Sequence, residues 1–499
     1  MPIVLGIDVG TEGTKALAIN SEGEIIAESY STYRFDTPRS GWTQQNPDVW
    51  WQAVRNVLHD IWNRINPHQV VGIGVAGQMH SSVCVDGDGI PVHPSILWND
   101  TRTHPICEHI LNNVGAEKYQ SETGNSLLPG FTAGKLVWMR NNVYDAYCRI
   151  KTVMMPKDYV NFRLTGVRSA DVSDASGTGF FNIRTRTWND EMIEQLEFPR
   201  DWFPAVRESS DVIGYVTKSA AEVTGLRPGI PVIAGAGDNA AAAVGLNISE
   251  PGQGMISVGT SGVVLCPLDE PPTAEQASKQ NPTLHVFCHA LSGRWYAMAV
   301  TLSAGGSLRW FRDVFEQGAS YDDMMAVAAS APPGSDGLVY LPYLTGERTP
   351  LNSDKIRAAF IGIDVHHHKS HFTRAVVEGV AYSISDGVSL LSQSVGPMNA
   401  VTITGGVVRS RLWLNILRNV LGTPLRVPKA SGGASYGVAL LAGLGVGVWP
   451  NASKMPRAFS LDATEVFPRQ ELSHLYKDAY QHRSSAISHL LDWSHQSKS

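Results

Sequence analysis

The chain has 499 residues, 43% of them apolar and 17% charged, which is more than one ordinary core accommodates and suits a soluble protein of two or more domains. A formal charge of −6 argues against nucleic acid or an anionic membrane as the main partner. Five scattered cysteines without C-x-x-C spacing argue against a disulfide frame and against a zinc site.

The chain opens on an apolar run, IVLGID, with no basic leader or cleavage site. Its longest apolar run, YGVALLAGLGVGVW (436–449), is too short and glycine-rich to cross a bilayer and reads as a buried helix. A cytoplasmic protein is the expectation. The opening PIVLGIDVGTEGTKALAINSEGEIIAESYSTY predicts three antiparallel strands joined by glycine-containing turns. NPDVWWQAVRNVLHDIWNRI (46–65) carries helical spacing, and VVGIGVAG then returns to strand. GIGVAG (72–77) matches a dinucleotide fingerprint, but a strand and hairpin follow where that fingerprint needs a helix, so it is set aside.

Helices and loops occupy 104 to 230. PVIAGAG (231–237) then reads as a buried strand and AAAAVG (240–245) as the first turns of a helix, with Asp238 and Asn239 at the junction. Small apolar residues on both sides do not require a carboxylate there. A strand-to-helix junction is where ligands meet free backbone N–H groups in α/β proteins, and it is also where Asp and Asn cap helices. Both readings stand on the local pattern alone.

A second series then repeats the first. ISVGTSGVVLC (256–266) lies over IDVGTEGTKAL (7–17) without a gap, pairing Gly10 with Gly259, Thr11 with Thr260 and Gly13 with Gly262. Two hairpins, each opening half of the chain, predict a duplicated domain, divided as 1–247 and 248–499. A Gly-Thr-x-Gly turn offers backbone N–H groups, glycines free to take positive φ and a hydroxyl, a set suited to phosphate oxygens. The candidate ATP contacts are Thr11, Gly13, Thr14 and Lys15 in the first turn and Gly259 and Thr260 in the second. Asp8 is replaced by Ser257 in the second copy, so the acid belongs to one half. A carboxylate beside a polyphosphate suits Mg²⁺. No Walker sequence occurs, and the run His366–His368 reads as a solvated loop, since consecutive histidines do not share a face.

The segments GWTQQNPDVWWQA, AGQMH, ILWNDTR, PGFTAGKLVWM, MPKDYVNFRLTG, SDASGTG, GAGDNAAAAVG, SVGTSGV, FCHAL and LPYLTGERTP, in this order, resemble the FGGY carbohydrate kinases, and among them the xylulokinase branch. The likeness runs from the first strand to about residue 445. It implies an α/β fold of the actin/Hsp70/hexokinase type, duplicated, with ATP between the domains. It implies transfer of phosphate from ATP, with Mg²⁺, to a primary hydroxyl of a small sugar, D-xylulose giving D-xylulose 5-phosphate. Another ketopentose, gluconate or a polyol is the alternative substrate. A nucleotide-dependent binding protein on the same fold is the competing class.

By the resemblance, Asp238 is the catalytic base and Asn239 its substrate-contacting neighbour. Asp8, together with Asp238, attends the metal. Met79 and His80 contact the sugar, His80 as a hydrogen-bond donor, and Trp98 stacks on it or packs in the core. Gly405, Gly406, Gly432 and Gly433 approach the adenosine. A helix N-terminus is expected to hold the Asp238 pKa low. Two residues depart from the branch pattern, Ser81 at the sugar-side turn, where it narrows the pocket or adds a hydrogen bond, and Val407 beside the adenosine glycines, where it crowds the nucleotide or only restricts the loop. Cys288 and His289 read as a structural pair. The expected partners are sugar and ATP, with neither nucleic acid nor membrane, and a homodimer is the common prior.

Overall fold

A computed structural model describes residues 1–428, 432–457 and 464–496. The predicted meander forms as β1 (Ile3–Val9), β2 (Gly13–Ile19) and β3 (Ile25–Thr32), antiparallel neighbours in one sheet. β4 (Val70–Gly77) joins β1 in parallel, with β5 (Val212–Tyr215), β6 (Pro231–Ile233) and the short β7 (Ala236–Gly237) completing the sheet in the order β5-β6-β4-β1-β2-β3 and β7 beside β4. Helix α1 (Asp48–Ile61) lays Trp50, Val54, Val57, Leu58 and Ile61 on this sheet, the three- and four-residue spacing seen in the sequence.

The second half repeats the plan. β8 (Gln253–Val258) and β9 (Gly262–Leu268) are the second hairpin. β10 (His285–Cys288), β11 (Trp295–Thr301), β12 (Ala400–Gly405), β13 (Leu425–Val427) and β14 (Thr464–Val466) give the order β10-β11-β9-β8-β12-β13-β14. In both halves a hairpin's first strand pairs antiparallel with its second and parallel with a strand from much later in the chain. The duplication read from eleven residues is therefore a duplication of topology.

The halves are not separate beads. Helix α2 (Gly433–Gly445), the long apolar run of the sequence, crosses back to the first sheet. The approach is close enough to exclude side chains. A Cβ on Gly6 would lie 1.8 Å from the carbonyl oxygen of Ser435, and one on Gly437 would lie 1.7 Å from that of Ala241. Among the described residues no helix is long and apolar enough to cross a membrane.

Register places the site. Asp8 pairs with Ala76 on β4, and Ala76 pairs on its other side with Ala236 of β7. Asp8 and the residue following Gly237 thus emerge from the same sheet edge, two strands apart, roughly 10 Å at the spacing of neighbouring strands.

Candidate active site

Asp238 is the first residue of the helix Asp238–Gly245, and Gly237 occupies the cap position without a side-chain bond. The capping reading is therefore wrong in geometry. The Oδ1 of Asp238 instead accepts from its neighbour Asn239, from the backbone N at 2.7 Å and from Nδ2 at 2.9 Å. Burial pushes its pKa up to about 6, against the pull of those two bonds. The expected low value fails because loss of solvent outweighs donors confined to one oxygen.

Asp8 shows the same effect more strongly. Burial, and after it the charge of Asp238, push its carboxyl up to about 7, with Lys15 pulling the other way. Its Oδ1 is buried and, among the described residues, has no hydrogen-bond partner. An orphaned carboxylate oxygen coupled to a second carboxylate is a donor set that fits Mg²⁺, which takes one or two protein oxygens and fills its shell with water and phosphate. No cluster of three or more His, Cys, Asp or Glu forms among the described residues. His366–His368 precede a helix as an exposed turn, as expected.

A cavity of about 200 Å³ joins the two halves here, lined from the first by Met79, His80, Trp98, Asp238 and Asn239. His80 sits in the left-handed region at φ 66°, unusual for a residue with a Cβ. Its carbonyl accepts from Thr132 Oγ1 at 3.1 Å and from the buried Lys135 Nζ at 2.8 Å, which holds the strained turn. Its Nδ1 lies 2.7 Å from the Gly177 carbonyl, and burial lowers the ring pKa to about 3. The ring is neutral, and a carbonyl cannot donate, so Nδ1 carries the proton and Nε2 is an acceptor. The expected donor to a sugar hydroxyl is instead an acceptor.

Trp98 both lines the cavity and ties the loop. Its Nε1 donates to Thr11 Oγ1 at 2.9 Å, and its backbone N donates to Ser81 Oγ at 3.1 Å. Ser81 is fully buried and also donates to Gln78. The departure at 81 therefore braces the turn from behind and leaves the pocket wall unchanged. Val407 is buried as well, so it neither crowds nor touches an open nucleotide face. Asp100 and Arg102 form a fully buried ion pair at 2.8 Å, with the guanidinium 4.0 Å over Trp42. Cys288 and His289 are buried and bonded to backbone, as the structural reading expected.

The phosphate turns close as drawn, Gly10 N to Gly13 O at 3.0 Å and Gly259 N to Ser261 O at 2.9 Å. Positive φ is not the reason for their glycines. A Cβ on Gly13 would lie 2.4 Å from the Tyr30 hydroxyl, and one on Gly262 would lie 2.6 Å from a Thr301 methyl. Gly259 and Thr260 are exposed at the tip, braced by the N–H groups of Ala304, Gly305 and Gly306. Thr14 is turned inward to the Tyr33 hydroxyl, and Lys15 pairs at the surface with Glu28. Neither stands at the cavity. Gly405 has φ 92°, where a Cβ would strike the Val258 carbonyl, and Gly406 faces open space. Gly433 is exposed, whereas Gly432 is buried under Tyr436.

From the second half the cavity is lined by Ser257, Gly259, Ser261 and Val263 of the second hairpin, and by Met298, Val300 and Arg348, which were not among the candidates read from the sequence. The signal that marked Asp238, a charge inside an apolar run, also marks Lys135 in AGKLVWM and Lys157 in MMPKDYV. Lys157 is fully buried, bonded to Asp158 and 2.8 Å from Asp171. Asp171 accepts from Ser173, whose Oγ in turn accepts from Gly237 N at 3.0 Å, so this network holds the backbone just ahead of Asp238.

Two family models match the chain, the N-terminal domain of the FGGY family of carbohydrate kinases over residues 3–245 and its C-terminal domain over 254–446. This chain belongs to the FGGY carbohydrate kinases. Within the family it is 34% identical over 98% of its length to a xylulose kinase of Lactococcus lactis, of which it covers 99%. It is 36% identical over 89% of its length to one of Klebsiella pneumoniae, covering 90% of it. A solved xylulose kinase of Brucella ovis superposes with a TM-score of 0.89 at 32% identity, over 98% of this chain and 100% of that one. The two-domain fold, the carbohydrate kinase class and the xylulokinase-like character expected from the sequence are borne out.

Proposed function

We propose that this FGGY kinase phosphorylates the acyclic form of D-xylulose at its terminal hydroxyl, forming D-xylulose 5-phosphate and ADP. The observation that carries the reading is the cavity itself, which brings Asp238 and Asn239 of one half into one space of about 200 Å³ with Gly259 and Ser261 of the other. An acceptor-side base and a phosphate turn in one enclosure are what phosphoryl transfer needs, since catalysis here is mostly positioning and charge stabilisation. The named relatives supply the sugar.

In this mechanism Asp238 accepts the proton of the attacking hydroxyl, and its raised pKa near 6 suits a base working at neutral pH. Asn239 holds Oδ1, directing the other oxygen to the substrate. His80 accepts from a sugar hydroxyl through Nε2, and Met79 and Trp98 cover the carbon skeleton. Gly259 and Thr260 take phosphate oxygens, and Gly405, Gly406 and Gly433 leave room for the nucleoside. Asp8, with Asp238, would hold Mg²⁺, which when bound offsets phosphate charge. A hinge near residue 248 closes the halves, excluding water from the transfer.

The reading is tested by kcat/KM for ADP release with Mg-ATP across D-xylulose, other ketopentoses, gluconate and polyols, with products identified by mass. D-Xylulose should lead the panel. A higher value for gluconate or a polyol would move the specificity, and ADP release indifferent to every sugar would overturn the kinase reading for this protein.

A further inference from the structure

Arg348 lines the same cavity as Asp238 and comes from the second half of the chain, in the segment LPYLTGERTP. Its neighbour Glu347 is committed elsewhere, accepting from Thr301 Oγ1, Ser383 Oγ and the Leu302 and Arg348 backbone N–H groups. Among the described residues the Arg348 guanidinium has neither an ion pair nor a side-chain hydrogen bond. It reaches across to the first half, where a Cβ on Gly130 would lie 3.2 Å from its Nη2. The charge that favours it is that of its neighbour Glu347, while its own charge disfavours protonation of Lys135, His80 and His285. His285 is itself fully buried with both ring nitrogens unpartnered. A partly buried guanidinium with five donors and no protein acceptor is costly. A ligand rich in acceptor oxygens removes that cost.

The segment that carries Arg348 is firmly built. Tyr343 accepts at 2.8 Å from Arg483, a buried residue of the C-terminal helix Gln470–Gln496, which also pairs with Asp386 at 2.8 Å. Leu341, Tyr343, Ile356 and Ile487 form a small core beneath it. The stretch after residue 450, which carries no motif, thus anchors a wall of the pocket.

The chemistry of the acceptor says which end faces Arg348. A 2-ketopentose closes its furanose ring through the C5 hydroxyl, so phosphorylation at C5 takes the acyclic form, with a free C2 carbonyl and C1 hydroxyl at the far end. Asp238 addresses C5. Asp238 and Arg348 share the cavity without pairing with one another, which leaves the sugar between them. We propose that Arg348 binds the C1–C2 hydroxyketone end of the acyclic acceptor, so that the second half of the protein reads the sugar as well as the nucleotide. This rests on the reading of the protein as a ketopentose kinase and makes Arg348 a specificity residue.

The test compares D-xylulose with 1-deoxy-D-xylulose, which lacks the C1 oxygen, in wild type, Arg348→Gln and Arg348→Lys. Wild type should prefer D-xylulose by tenfold or more in kcat/KM. In Arg348→Gln the sugar KM should rise on the order of 10- to 100-fold, the loss of a charged hydrogen bond, while the KM for ATP moves less than threefold. The preference for D-xylulose should fall to within about threefold, with Arg348→Lys intermediate. An unchanged preference ratio in Arg348→Gln overturns the proposal, as does a parallel rise of both KM values with a lowered Tm, which marks a structural role. Should Arg348→Gln fail to fold, the Lys variant and the wild-type ratio decide, and a wild type indifferent to the C1 oxygen overturns it. A wild type without sugar-dependent ADP release overturns the underlying reading, and this proposal with it.

Discussion

The two hairpins that open the halves share strand order and turn length, close through Gly10 N to Gly13 O in the first and Gly259 N to Ser261 O in the second, and differ at the residue two before the first turn glycine. That residue is Asp8 in the first and Ser257 in the second. Around Asp8 the site is charged and tightly held, with two coupled carboxylates, a strained histidine turn and buried lysines. Around Ser257 it is open and carries no acid, an exposed Gly259–Thr260 tip whose carbonyls accept from backbone N–H groups, with Arg309 donating to Thr260 Oγ1 at 3.3 Å and Arg348 in the cavity. Duplication supplies two cradles, and under the proposed function the position where the copies part divides the work, the acid half attending metal and acceptor and the half without the acid receiving phosphate.

The sharpest break of this contrast is at the acceptor base. Asp238→Asn should lower kcat by about 10²- to 10⁴-fold, the span of general-base effects, with sugar affinity by calorimetry within threefold. Making the halves alike comes next. Asp8→Ser should cost about 10²-fold in kcat and raise the Mg²⁺ needed for half-maximal rate, while Ser257→Asp, placing a carboxylate under the phosphate tip, should raise the KM for ATP about tenfold.

The pH dependence sharpens the comparison further. Asp238 must be ionised to act as the base, so log kcat at saturating Mg²⁺ should fall as pH drops through about 6. The sign for stability is opposite. Folding raises Asp8 from 3.8 to about 7, so its contribution is favourable at low pH and is lost as pH rises through that value. Without Mg²⁺, Asp8→Asn should melt a few degrees above wild type at pH 8 and match it near pH 4. The smallest effect is at Ser81. Since its hydroxyl faces Gln78 and Trp98, Ser81→Gly should change kcat/KM less than threefold and cost about 1 kcal/mol of stability.

Much of this was legible in the residues. The repeated Gly-Thr-x-Gly turn led to the duplicated sheets, and Asp238 was conspicuous because nothing around it needed a charge. Four things were not legible. Whether a turn glycine serves φ or space depends on residues such as Tyr30 and Thr301, distant in sequence or in rotamer. The pKa of Asp238 depends on burial, which a local helix argument omits. Arg348 reaches the cavity only because a loop from the second half, pinned by Arg483, folds over the first. Such long-range placement leaves no local pattern, and the protonated nitrogen of His80 was equally hidden until Gly177 stood beside it.

Under the proposed function the two halves together carry phosphate to sugar and not to water. Rapid-quench mixing of the wild-type protein with Mg-ATP, with and without D-xylulose, counts sugar monophosphate and inorganic phosphate in the first turnover. With sugar, ADP should appear one for one with sugar monophosphate, and without it the rate should fall at least a hundredfold, as closure against water requires. Inorganic phosphate formed at the same rate with or without sugar would contradict the account.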